Sequence, residues 1–252
     1  MGIALDLAYA LDPVRLAQRV GITPDPWQAD LLRSRGKQTI LNCSRQSGKS
    51  TVSSILALDE ASYHPPALVL LLSPSLRQSS ELFRKMKESY GALGADVVPV
   101  AQESALRLEL ENGSRIVCLP GKEASIRGFS KVALLVVDEA SRVPDELYQA
   151  IRPMLAVSGG RLILLSTPFG KRGFFHHEWT EGGADWHRVQ ISADQCPRIP
   201  KDWLAKERAA IGDWWFRQEY GCEFTDTQDQ VFRYEDVMGA LDPSVKPLFG
   251  GA

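Results

Sequence analysis

The sequence lacks the residues that hold small secreted folds or metal centres together. It has four cysteines, at positions 43, 118, 196 and 222, none at Cys-x-x-Cys spacing, and four histidines that do not cluster with them. A disulfide framework and a Cys/His zinc site are therefore not expected, and reduced thiols are. Long apolar runs are missing too. Stretches such as Ala67–Leu72 are far too short to cross a bilayer. Met1–Ala10 is apolar but has neither a basic leader nor a cleavage site, so no secretory signal is expected. The chain reads as soluble and cytoplasmic. Excess charge of either sign is absent, with a formal net charge of −2. A nucleic-acid role would then need a local basic patch, or several copies arranged around the ligand. Internal repeats and low-complexity tracts are absent as well.

What is present is a pattern. The 252 residues suffice for one sizeable core, or one core with a small appendage. Thr39–Asn42, Ala67–Ser73, Arg115–Leu119, Val132–Val137 and Arg161–Ser166 are short runs rich in Val, Ile and Leu, bounded by turn residues. They read as buried strands. Leu106–Leu110 alternates apolar and charged residues ahead of Asn112-Gly113, which predicts a hairpin with Arg115–Leu119. Helices are expected over Trp27–Ser34, Lys49–Tyr63, Ser75–Leu93, Asp145–Leu155 and Lys201–Ile211. Strands alternating with helices predict a mainly parallel α/β sheet. After residue 167 the composition shifts to aromatics, Gly and Pro, with a weak strand signal at His187–Ile191. The expected organisation is a core over residues 1–167, a small subdomain beside its sheet over 168–235, and a tail or linker over 236–252.

Five segments carry chemistry. Cys43–Ser50 lies between a strand and a helix, where backbone N–H groups and a helix N-terminus surround phosphates. Ser44, Arg45, Gln46, Ser47, Gly48, Lys49, Ser50 and Thr51 are its candidate ATP-binding residues, with Lys49 on the terminal phosphates and Ser50 on Mg²⁺. Cys43 stands where the Walker A pattern has Gly, and Arg45 adds a second cation. Leu134–Glu139 is an apolar strand ending in two carboxylates, a Walker B arrangement. Asp138 would serve the metal, and Glu139 would polarise the attacking water. Ile163–Pro168 ends a further strand in Ser166-Thr167, suited to sensing a γ-phosphate. Gln28, behind Trp27, has an amide that matches the adenine edge; Trp27 reads as a core anchor or a nucleotide contact. Arg127, in Ser125–Phe129, reads equally as a surface residue in a turn or as a finger reaching a neighbouring subunit's nucleotide.

Together these segments resemble the ATPase domain of phage large terminases, the motors that package double-stranded DNA into procapsids. The resemblance rests on Arg45-Gln46-Ser47-Gly48-Lys49-Ser50, Gln28, Ile126-Arg127-Gly128, Asp138-Glu139, Ser166-Thr167-Pro168 and the closing segment Phe216–Phe224. It spans about residues 20–235. It implies a RecA-like ASCE P-loop NTPase core with a C-terminal lid. It also implies ATP and Mg²⁺ as cofactors, and a ring, usually a pentamer, working with portal protein, the small terminase subunit and double-stranded DNA in the infected host's cytoplasm. By position it makes Lys49, Arg45, Arg127 and Glu139 catalytic, and Ser166 and Thr167 the coupling pair.

Large terminases usually continue into a nuclease. Asp226, Asp229 and Asp236 are not followed by the apolar strands such a site requires, so no nuclease activity is expected in this chain. The alternatives are another ring-forming P-loop translocase or a helicase-like ATPase, and a nucleotide-binding scaffold. A two-core helicase needs a second RecA-like core that 252 residues cannot hold. Arg77, Lys85, Lys87, Lys171 and Arg172 are candidate DNA contacts, though solvated surface charges are the favoured reading of each.

Overall fold

Among the described residues, eight strands form one sheet: β1 (Gln38–Cys43), β2 (Leu68–Ser73), β3 (Val100–Ser104), β4 (Arg107–Leu110), β5 (Arg115–Pro120), β6 (Leu134–Asp138), β7 (Arg161–Ser166) and β8 (Trp186–Ile191). Their order is β3-β4-β5-β2-β6-β7-β1-β8. The six strands from β5 to β8 run parallel, and β3 and β4 add an antiparallel edge. The computed structural model describes residues 3–94, 97–121, 128–226 and 234–241. Arg127 and Ile126, the 242–252 end of the expected tail, and Asp229 lie outside them.

Among the described residues, ten helices accompany the sheet: α1 (Ile3–Leu11), α2 (Pro13–Arg19), α3 (Pro26–Arg33), α4 (Lys49–Tyr63), α5 (Leu76–Leu93), α6 (Asp145–Ile151), α7 (Gly173–Thr180), α8 (Lys201–Ile211), α9 (Asp213–Glu219) and α10 (Tyr234–Ala240). Side chains of a strand point alternately to its two faces. The central strands therefore feed two cores. Leu134, Val136, Ile163 and Leu165 join residues of α2 to α5 on one face. Leu135, Val137, Leu162 and Leu164 meet Tyr148, Phe174 and Phe175 on the other. The helix α4 is buried along most of its length, including Ser53 and Ser54. Their hydroxyls donate back to the carbonyls of Lys49 and Ser50, at 3.0 and 2.9 Å, so neither hydroxyl is stranded.

The expected hairpin forms, with Leu108 opposite Ile116. Asn112 and Gly113 make its turn: the Asn112 carboxamide accepts from the Ser114 N–H at 2.9 Å, and Gly113 sits at φ +84°. The helix expected over Asp145–Leu155 stops at Ile151 and continues as a 3-10 turn over Arg152–Leu155. Pro153 is the cause, since it cannot donate to the α-helical ladder. One organisational expectation needs correction. Within 168–235, the strand signal at His187–Ile191 is β8, which pairs with β1 from Gln38↔Trp186 to Cys43↔Ile191. It lies in the main sheet rather than beside it.

Gly160, entering β7, approaches the backbone closely. A Cβ there would overlap the Val132 carbonyl and lie 2.9 Å from that of Ala133. Gly160→Ala should therefore lower stability by about 1–3 kcal/mol through overpacking against rigid main chain. The check is a lower urea midpoint at unchanged m-value.

Candidate active site

The C-terminal ends of β1, β6 and β7 meet at one edge of the sheet, the place where open α/β sheets bind ligands. Asn42 is in register with Ser166, and Asp138 with Leu165. Register alone thus brings the phosphate loop, the carboxylate pair and the Ser-Thr-Pro segment together.

The loop between β1 and α4 bends through two left-handed residues, Gln46 at φ 59° and Gly48 at φ 91°. A side chain at Gly48 would be strained and would also strike the Gln28 carboxamide 2.5 Å away. Cys43, the departure from the usual pattern, is the last residue of β1. Its thiol is fully buried in the core, and burial pushes it up to about 12, so it stays protonated and inert. Extended backbone at that position has no need of Gly. The loop is fastened at main-chain level: Ser44 N–H donates to Ile191 O at 2.9 Å and Arg45 N–H to Glu219 O at 3.0 Å. Asn42 Nδ2 donates to Cys222 O at 2.7 Å. The closing segment Phe216–Phe224 therefore runs against the loop.

Lys49 is 7% exposed, and its ammonium donates to Ser44 O at 3.0 Å and lies 4.0 Å from Glu139 Oε1. Ser50 Oγ donates to Asp138 Oδ2 at 2.9 Å. A hydroxyl beside a carboxylate is a hard-oxygen donor set that fits Mg²⁺, which is bound through one or two protein oxygens, substrate phosphates and water. Among the described residues no cluster of three or more His, Cys, Asp or Glu offers an all-protein cage. Glu139 sits in the left-handed region at φ 50°, ψ 44°. Such strain costs on the order of 1–3 kcal/mol and gathers at functional sites. Burial pushes the Glu139 carboxyl above the ordinary carboxylate range, with Lys49 opposing.

A cleft of about 530 Å³ opens over the loop, lined by Gln46, Ser47, Gly48, Ser50, Thr51 and Gln78, and by the charged residues named next. Five cations face it, namely Arg45, Lys49, Lys85, Arg142 and Arg198, against the single carboxylate of Glu139. Arg77 and Lys85 are exposed, as expected of surface charges, and both border the site. Lys85 lines this cleft, and with Arg77 it lines a smaller one, about 230 Å³, beside Ser50, Asp138 and Glu139. Lys87 instead pairs with Glu103, Lys171 lies 3.5 Å from Asp226, and Arg172 stacks 4.4 Å over the Phe169 ring.

Gln28 reaches the site, but both ends of its amide already have partners. Nε2 donates to Ser47 O at 3.2 Å and Oε1 accepts from Asp25 N–H at 2.9 Å. Arg198 closes the ring, donating to Ser47 O at 2.9 Å and to Asp25 Oδ1 at 2.7 Å. Trp27 is not brought to the cleft. Its ring is 8% exposed within the core, so of the two readings the core anchor is the one formed. Ser166 and Thr167 meet the carboxylate turn through Ser141, whose hydroxyl is 2.7 Å from Ser166 Oγ and donates to Thr167 O at 2.8 Å. Ser141, Arg142, Arg198 and the carboxylate of Glu219 were not singled out from the sequence. Ser141 and Arg142 follow Asp138-Glu139 after one residue, Ala140, and were within reach; Arg198 had no local signal.

A phosphate loop after β1 and an Asp-Glu pair at the end of β6, side by side across a parallel sheet, are the frame of a RecA-like α/β P-loop fold. Residues 40–238 match the family described as "Terminase large subunit, T4likevirus-type, N-terminal". The chain belongs to that family. It is 27% identical over 254 residues to the terminase large subunit of Thermus virus P23-45, covering 87% of this chain and 52% of that protein. It is 25% identical to the terminase large subunit of Escherichia phage T5, covering 93% and 54%. The chain thus spans about half the length of the curated relatives it matches. The fold is shared with the large terminase ATPase domain of Thermus phage P74-26, at TM-score 0.71 and 23% identity, covering 83% of this chain and 97% of that one. It is shared too with the large terminase of bacteriophage D6E in complex with ATP-gamma-S, at TM-score 0.62 and 13% identity, covering 86% and 52%.

Proposed function

We propose that this chain hydrolyses ATP and that the hydrolysis drives translocation of double-stranded viral DNA into a procapsid. The convergence of Lys49, Ser50, Asp138 and Glu139 at one sheet edge carries the reading, because those four groups are what phosphoryl transfer to water requires. Ser50 and Asp138 would hold Mg²⁺, which supplies charge neutralisation on the phosphates. Lys49, released from the Ser44 carbonyl, binds the terminal phosphates, and the first backbone N–H groups of α4 face them. Glu139 orients a water and accepts its proton. Gln28 fixes the loop through Ser47 and keeps a second amide hydrogen for the base. Ser141 joins the Glu139 turn to Ser166 and Thr167, a route by which phosphate loss would be passed on to the segment beyond.

The resemblance adds Arg127 as a finger acting on a neighbouring subunit, in a ring that meets portal protein, the small terminase subunit and DNA in the host cytoplasm. Among the described residues no helix is long and apolar enough to cross a membrane. The test is steady-state ATPase activity against protein concentration. Specific activity should rise with concentration, and Arg127→Ala should lose roughly 10³-fold or more, the value of a finger in trans. Mixing Arg127→Ala with Glu139→Ala should restore activity, since each supplies what the other lacks. Flat specific activity with a fully active Arg127→Ala chain would remove the trans finger. Absence of hydrolysis at every concentration, with portal-bearing procapsids added, would remove the ATPase reading.

A further inference from the structure

Glu219 ends α9 and is 6% exposed. Two cations of the cleft converge on it. Arg45 Nε donates to Glu219 Oε2 at 2.5 Å, and the Arg142 guanidinium lies 3.6 Å from Oε1. Main chain reinforces the contact, through Arg45 N–H on the Glu219 carbonyl. Arg142 also stacks on Phe169, 4.2 Å from the ring centroid, next to Thr167-Pro168. One buried carboxylate thus holds together the phosphate loop, the turn after the catalytic carboxylate, and α9.

We propose that Glu219 is a positioning residue. It is an internal anion that competes with the nucleotide's phosphates for Arg45 and Arg142, and so ties phosphate occupancy to the state of α9. This rests on the ATPase reading above. The Arg45 side chain is 58% exposed and lines the cleft, so its guanidinium is within reach of a phosphate arriving there. A triphosphate offers more charge and more acceptor oxygens than one carboxylate, and guanidinium forks suit it. A buried carboxylate stripped of its cations is costly, which makes the exchange a competition rather than a free gain. Reporters are built in. Trp214 and Trp215 sit on α9 with ring centroids 4.6 Å apart.

The experiment titrates MgATPγS into wild type and Glu219→Gln, by calorimetry and by tryptophan fluorescence. Glu219→Gln keeps the shape and removes the competing charge, so affinity should rise about tenfold, the loss of roughly one charge-assisted bond. Glu219→Asp keeps the charge and should stay within about threefold of wild type. The wild-type fluorescence change, assigned by its loss in Trp214→Phe/Trp215→Phe, should disappear in Glu219→Gln. In an Arg45→Ala background the gain from Glu219→Gln should shrink, because the two residues act as a pair. Unchanged or weaker affinity in folded Glu219→Gln, or an equal gain without Arg45, overturns the proposal alone. A wild type that binds no MgATPγS overturns the ATPase reading and this proposal with it.

Discussion

A Glu139→Gln chain should bind MgATP as the wild type does and hydrolyse it about 10²–10⁴ times more slowly, the usual worth of a positioned general base. The carboxamide fills the same space at the same left-handed backbone position and still faces Lys49 across 4.0 Å. What it lacks is the capacity to take the water's proton. The pH profile separates this from a misfolded loop. Burial raises the Glu139 carboxyl, so its proton-accepting form is present above that raised value and is lost as pH falls through it. The wild-type rate should therefore carry an acid limb above the ordinary carboxylate range. Glu139→Gln should not.

Lys49→Ala should act earlier, on binding. On the proposed reading its ammonium would supply charge-assisted bonds to the terminal phosphates, each worth about 1.5–3 kcal/mol. Losing two should weaken MgATPγS binding roughly a hundredfold or more. Stability should change far less, because the lysine's hydrogen bonds are to the Cys43 and Ser44 carbonyls, at 3.4 and 3.0 Å, and Glu139 is 4.0 Å away, at the outer limit of an ion pair. Calorimetric titration alongside thermal denaturation separates the two effects. A Lys49→Ala chain with wild-type affinity would show that the loop does not hold phosphate.

The central sheet was legible because it is buried on both faces. β1, β2, β6 and β7 are buried at nearly every position, and such strands announce themselves as unbroken apolar runs. The edges hide. β3 is exposed at four of its five residues, and β8 is fully buried only at Trp186 and Ile191, so neither presents a clear period. The small helices α7 and α9 escaped notice for a related reason: their aromatic residues pack in pairs and carry no single apolar stripe.

The site divides the same way. Lys49 and Ser50 follow β1, and Asp138 and Glu139 close β6, at fixed offsets, so spacing singled them out. Arg198 and Glu219 reach the loop from 151 and 174 residues away, and no spacing rule connects residues so far apart. Cys43 shows the opposite case. It looks like a defect of the phosphate loop in the sequence, and in the structure it is a core residue of β1 whose backbone never needed glycine.

The most direct test of one MgATP site built from Cys43–Ser50 and Asp138–Glu139 measures binding and phosphate release on the same wild-type and Glu139→Gln samples. Equal affinity for MgATP in both, with phosphate released by the wild type alone, is the predicted result. Equal rates of phosphate release from both chains would contradict it.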